Sequence, residues 1–144
     1  MAADGSFTQM LFFIAAIVVA VSVSGVLIGV SNSMAQELKV KAESTSDQMG
    51  TSIQFVNDPR HVPYEDGSLI LYIKNVGDIT LNCKEIVIFI DGQYINDAFV
   101  VSANNNWLVG EMIEIRANAT LATGDHLAKA SMANGVSDSM DFRI

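Results

Sequence analysis

Between Gly5 and Gln36 the chain carries no charged residue. The apolar heart of that stretch, Phe7 to Val30, reads FTQMLFFIAAIVVAVSVSGVLIGV. As a helix it covers ~36 Å, enough to cross a ~30 Å hydrocarbon layer with some tilt. A soluble helix of that length needs a polar face toward water, and this run has none. The chain is therefore constrained from its start to place a long helix in a membrane.

A cleaved secretory signal is a poor fit, because such signals open on basic residues and have a shorter apolar region. Here no Lys or Arg precedes the run. The leader Met1 to Gly5, followed by Ser6, has the length of a type-IV-pilin-like leader. It carries Asp4 where a basic residue is usual and Met10 where bacterial pilins have a glutamate. The segment reads as a retained single-pass anchor. Lys39 and Lys41 are the nearest basic residues, interleaved with Glu37 and Glu43. Taken alone they would put the C-terminal part in the cytoplasm. The N-terminal tail is short and the rest of the chain is acidic, so this signal does not set the orientation.

After the anchor, about a hundred residues remain, the size of one β-sandwich. With a net charge of −8 and a pI near 4.4, the chain is unsuited to nucleic acid or an anionic membrane surface. Cys83 is the single cysteine, which excludes an intramolecular disulfide and a thiolate metal site. It fits a small apolar position in a strand or turn.

Residues 31–49, SNSMAQELKVKAESTSDQM, repeat Met34, Leu38, Ala42, Thr45 and Met49 at spacings of three and four, and Glu37 precedes Lys41 by four. Both patterns favour helix. The expected organisation is a tail over 1–6, a transmembrane helix over 7–30, a helical stalk over 31–49 and a β-sandwich over 50–144. Gly50 is expected to end the stalk as a left-handed C-terminal residue.

Beyond Gly50 the helical period gives way to short runs of β type. Expected strands are Thr51 to Val56, Leu69 to Lys74, Ile86 to Ile90, the QYI from Gln93 to Ile95, Ala98 to Ser102, Trp107 to Ala117, Leu127 to Ala133 and Ser137 to Ile144. Asp58-Pro59 and Pro63 break the first connection, and Asn75-Val76-Gly77-Asp78 ends the second strand. Asp91-Gly92 is the strongest hairpin signal. Seven or eight short strands with no helix among them predict an immunoglobulin-like antiparallel sandwich, making the chain mainly β after its helix.

Groups able to do chemistry are sparse. His61 lies in a Pro-flanked loop and His126 follows Gly124-Asp125; both read as turn or surface residues. No Gly-x-Ser-x-Gly elbow is present. Asp58, Glu65 and Asp66 share a loop without the alternate-residue spacing of a calcium site, and read as a solvated acidic surface. Asp138 and Asp141 read the same way, on an edge strand where charge blocks unwanted pairing. No catalytic residue, cofactor, metal or small-molecule substrate is expected.

Interaction signals are clearer. Gly25 and Gly29 form a GxxxG pair with Ser33 one turn on, and Ala16, Ala20 and Ser24 form a second small-residue stripe. Such stripes let helix backbones approach closely. Ile95, Phe99 and Val101 follow the Asp91-Gly92 hairpin and are candidates for self-association at a sheet edge. Asn118-Ala119-Thr120 is an N-glycosylation sequon, usable if the domain lies outside the cell.

Several short motifs occur together: Asn57-Asp58-Pro59, Val62-Pro63, LYIKNVG at Leu71 to Gly77, Thr80-Leu81, FIDG at Phe89 to Gly92, and ANGVSDSMDF from Ala133 to Phe142. With the anchor, they resemble the archaellum accessory proteins FlaG and FlaF, and FlaG more than FlaF. The resemblance spans almost the whole chain. It implies a stator component of the archaeal rotary motor, anchored in the cytoplasmic membrane with its sandwich under the S-layer. There it would oligomerise and couple to the S-layer through a FlaF-like partner. Two other readings remain: a pilin- or archaellin-like filament subunit of the same general shape, and a membrane-anchored adhesin or binding domain. The last would need an aromatic-lined cleft, for which Trp107 and three tyrosines offer little material.

Overall fold

The computed structural model describes residues 2–101 and 104–144. Helix α1 runs from Ala2 to Gly50, so residues 2–6, expected as a tail, are already helical. The chain divides into two compact units, ending and beginning at Glu43 and Ser44. In the first unit the side chains from Gly5 onward are all exposed, including Phe12, Phe13, Val21 and Val26. From Gly5 the helix is long and apolar enough to cross a membrane.

The second unit carries eleven strands among the described residues. They are β1 (Ile53–Phe55), β2 (Tyr64–Glu65), β3 (Ser68–Asn75), β4 (Leu81–Asn82), β5 (Ile86–Ile90), β6 (Gln93–Tyr94), β7 (Ala98–Val101), β8 (Asn106–Trp107), β9 (Met112–Asn118), β10 (Asp125–Met132) and β11 (Ser137–Arg143). One five-stranded sheet has the order β1-β3-β9-β7, with β2 also on β3; a four-stranded sheet has the order β11-β10-β5-β6; β4 and β8 form a small third sheet. All pairs are antiparallel.

Strand alternation builds the core. Leu69, Leu71 and Ile73 from β3 pair with Ala117, Ile115 and Ile113 from β9 and are buried on one face. Ile88 and Ile90 from β5 oppose Ala130 and Ala128 from β10, with Met140 and Phe142 from β11 beside them. Ala128 and Ala130 on β10 are fully buried in the same core cluster as Leu69, Leu71 and Ile73 of the other sheet, where small residues leave room for large ones opposite.

Three expectations change. The run Trp107 to Ala117 is not one strand: Leu108 to Gly110 turns, with Gly110 at φ 79°, and Trp107 stays behind on β8. Trp107 is fully buried, its indole N–H donating to the Glu111 carbonyl at 2.8 Å, so it is core and lines no cleft. A 3-10 turn, Cys83–Glu85, lies among the strands, with the Asn82 side chain accepting from Lys84 N; Cys83 is buried there. Glu65-Asp66-Gly67-Ser68, assigned to a loop, is a hairpin joining β2 to β3, with Asp66 and Gly67 at φ 51° and 79°. Those positive angles match a type I′ turn, and Asp91-Gly92, at 51° and 78°, repeats it between β5 and β6. Ser102, expected to end the strand that begins at Ala98, lies outside the described residues.

Candidate functional sites: a helix joint and an open sheet edge

The last turn of α1 is fastened into the sandwich by short polar contacts. Thr51 N and Thr51 Oγ1 both donate to the Asp47 carbonyl, at 3.0 and 2.6 Å. Asn134 Nδ2 donates to Thr51 Oγ1 at 2.7 Å, and Gln48 Nε2 donates to the Asn134 carbonyl at 2.8 Å. Asp78 N donates to the Gly50 carbonyl at 2.8 Å. Gly50 does not adopt the left-handed conformation expected of it, since its φ is not positive. Glycine is needed there for space: a Cβ at Gly50 would come within 2.9 Å of Ile79 Cγ2.

Asn75 organises the other side of this joint from full burial. Its Nδ2 donates to the carbonyls of Ile79 and Trp107 at 2.9 and 3.1 Å, and its Oδ1 accepts from Gly77 N at 3.0 Å. Asn57 similarly extends the sheet past β1: its side-chain amide donates to Ile70 O and accepts from Tyr72 N. Asp138 accepts from Phe55 N at 2.9 Å. It therefore closes a free amide of edge strand β1 across the two sheets, where a solvated charge had been expected. Asn75 and Gly77 of the LYIKNVG motif and Asn134 of ANGVSDSMDF thus converge on the point where the helix enters the sandwich. Their spacing alone carried no sign of this.

The outward face of β7 is apolar. Phe99 and Val101 are about half exposed, and β7 pairs only with β9 among the described residues. Across the ladder they oppose Arg116 and Glu114, which form an ion pair of 2.8 Å. Ile95 is half-buried and packs against the core, so it stands apart from that face. On the helix, a Cβ at Gly25 or Gly29 meets nothing. Ser33 Oγ donates to the Gly29 carbonyl at 3.1 Å and Ser24 Oγ to the Ala20 carbonyl at 2.7 Å. Those hydroxyls are satisfied within the helix, which leaves a smooth stripe compatible with close helix packing.

At the end of the sandwich remote from Gly50, Asn118 is exposed and closes β9, its Nδ2 donating to Asp97 Oδ2 at 2.8 Å. His126 is not a free surface residue: Nδ1 lies 2.7 Å from Asp91 Oδ2 and Nε2 lies 2.7 Å from the Ala122 carbonyl oxygen. The Ala122 carbonyl and the Asp91 carboxylate raise its pKa above 6.5, and the same pairing lowers that of Asp91 below 3.8. His61 stays exposed, 4.0 Å from Asp58, whose carboxylate caps Arg60 N. Among the described residues no three His, Cys, Asp or Glu side chains converge as metal ligands.

The sandwich is similar in fold to a solved structure titled archaellum periplasmic stator protein FlaG from Sulfolobus acidocaldarius, with a TM-score of 0.51 and 18% identity over 64% of this chain and 99% of that one. A second, titled as the complex of FlaF and FlaG from the same organism, matches with a TM-score of 0.50 and 19% identity, over 62% of this chain and 87% of that one. Comparison with curated proteins finds no match. A family model described as archaeal-type flagellin matches residues 3–143. From the anchor helix to the last strand, the chain belongs to the archaeal-type flagellin family.

Proposed function

We propose that this protein is a structural, non-catalytic stator component of the archaellum motor. In this reading it is anchored by α1, its sandwich lies outside the cytoplasmic membrane below the S-layer, and it transmits load between the two. The observation that carries the reading is the joint at Gly50. A stator must resist torque, and the last turn of α1 is fastened into the sandwich rather than left as a loose linker: Gln48 and Thr51 bond Asn134, and Gly50 accepts from Asp78 N. The FlaG-like fold supports the same reading. Self-association through the Gly25, Gly29 and Ser33 stripe and the Phe99 and Val101 face would share the load among copies. One of the similar structures is a FlaF–FlaG complex, which supports a FlaF-like partner and, through it, the S-layer. Asn118 is the position to inspect for a glycan.

The family match favours a second reading, an archaellin-like filament subunit. Mass spectrometry of the mature N-terminus separates the two, because a filament subunit loses the residues up to Gly5 and a retained anchor keeps them. Protease added to spheroplasts should digest the sandwich, leaving the helix protected. Protection of the sandwich until lysis would place it in the cytoplasm and end the stator reading.

A further inference from the structure

The end of the sandwich remote from Gly50 holds a trough of about 560 Å³ between the Asp91-Gly92 hairpin and the segment after Asn118. Its wall includes Tyr94, Asp97, Asn118, Leu121 and His126. The segment from Ala119 to Gly124 is pinned at three points that do not involve His126. Ala119 N donates to Gly67 O, Leu121 N donates to the Tyr64 hydroxyl, and Gly124 exchanges two backbone bonds with Ile144. Between them, Ala122 is held by His126 at 2.7 Å.

That contact has a chemical requirement. Asp91 Oδ2 and the Ala122 carbonyl oxygen are both acceptors, and each sits 2.7 Å from a different ring nitrogen. A neutral imidazole carries one N–H and one lone pair, so it can satisfy only one of them; the imidazolium satisfies both. The ring is held in place: its side chain is 11% exposed, Phe142 lies against it at 5.6 Å, and Asp91 Oδ1 is fixed by Leu127 N at 2.9 Å.

We propose that His126 is a proton-operated latch, tying Ala122, which lines the trough, to the hairpin as an imidazolium and releasing the Ala122-Thr123 segment when a ring proton is lost. On losing a proton, the ring keeps the Nδ1 hydrogen facing the Asp91 carboxylate, and the Nε2 lone pair then repels the Ala122 oxygen. The surroundings favour the cation. The hairpin contributes Asp91, the ring's own strand contributes Asp125, β11 contributes Asp141 and Arg143, and the segment before β7 contributes Asp97. Asp97 is bonded to Asn118, and Arg143 lies 3.7 Å from Asp125. The 58–61 turn approaches this end through Pro59, which is uncharged.

The test is an NMR titration of both histidines in the full chain in detergent micelles, with hydrogen exchange of Leu121 to Gly124 normalised to unstructured-chain rates. His126 should titrate above 6.5. Exchange in the segment should rise at least tenfold as pH passes the His126 midpoint, while the turn at Asn134-Gly135 stays unchanged. Asp91→Asn keeps an acceptor for Leu127 N and tolerates the positive φ, so it should fold. In that variant the His126 midpoint should fall and segment release should move to lower pH with it. Normalised exchange that is flat through the His126 midpoint, or a midpoint unmoved in Asp91→Asn, would overturn the latch.

Discussion

Gly77 stands directly against the backbone of Gly50: a side chain at Gly77 would run into the Gly50 carbonyl oxygen and come within 2.6 Å of Ser52 N. The φ of Gly77 is not positive, so glycine is required there for closeness and not for backbone freedom. The last helical turn can sit on the β3–β4 connection only because neither residue carries a Cβ.

We predict that Gly77→Ala destabilises the sandwich by about 1–3 kcal/mol, because the obstruction is backbone and cannot rotate aside. Chemical denaturation of the full chain in detergent, followed by Trp107 fluorescence, would measure it. Lys74→Ala, at an exposed position of β3, should stay within about 0.5 kcal/mol of the parent. Equal stability of the two variants would remove the close-approach argument.

Asn75→Ala should cost roughly 3 kcal/mol or more, since it strands two carbonyls and one amide in the interior at about 1–3 kcal/mol each before relaxation. Asn75→Asp should also destabilise, by replacing two donors with acceptors against the Ile79 and Trp107 carbonyls. Parent-like unfolding midpoints in both variants would mean that water replaces the side chain without loss.

In the helix, Gly25→Leu and Gly29→Leu are expected to weaken self-association by on the order of 1 kcal/mol per contact. Energy transfer between labelled copies in lipid vesicles reads this directly. Unchanged transfer in the double variant would show that the stripe is merely the composition of an ordinary membrane helix.

On β7, Phe99→Asp and Val101→Glu should dissociate oligomers while leaving the circular dichroism of the sandwich intact, because both side chains already face outward. In cells of the source organism, filaments should still assemble but fail to rotate. Normal swimming with a demonstrably monomeric variant would exclude load sharing between copies.

The His126–Asp91 pair should give stability a pH optimum. The pKa of His126 is raised, so its contribution is complete below 6.5 and is lost as pH climbs through the higher folded value. The pKa of Asp91 is lowered, so its contribution is present above 3.8 and is lost as pH falls through the lower folded value. Unfolding midpoints should therefore be highest between these limits for this pair. His126→Gln should flatten the alkaline side of that profile, and an unaltered alkaline slope would assign it to other groups.

The long apolar helix, the stretch of helix beyond it and the runs that form strands could be read from the chain because each depends on neighbours within a few residues. Absence of charge from Gly5 to Gln36 leaves one unbroken apolar helix, long enough to cross a membrane. The apolar, β-branched run from Leu69 to Lys74 marks a strand by composition, and Asp91-Gly92 needs only its own two positive φ angles to turn. Local chemistry of this kind leaves a mark in the order of residues.

The joint, the Trp107 core position and the His126 contacts left no such mark. Asn75 reaches Trp107 across 32 positions, Asn134 reaches Thr51 across 83, and His126 reaches Asp91 across 35. An asparagine in a turn motif looks the same whether it ends in water or in the interior, and a histidine after a glycine looks the same with or without two acceptors around it. Sequence order determined which segments form the long apolar helix, turn or pair. Which polar groups lost their water, and what replaced it, was decided only when the sandwich closed and brought those distant positions to between 2.7 and 3.1 Å.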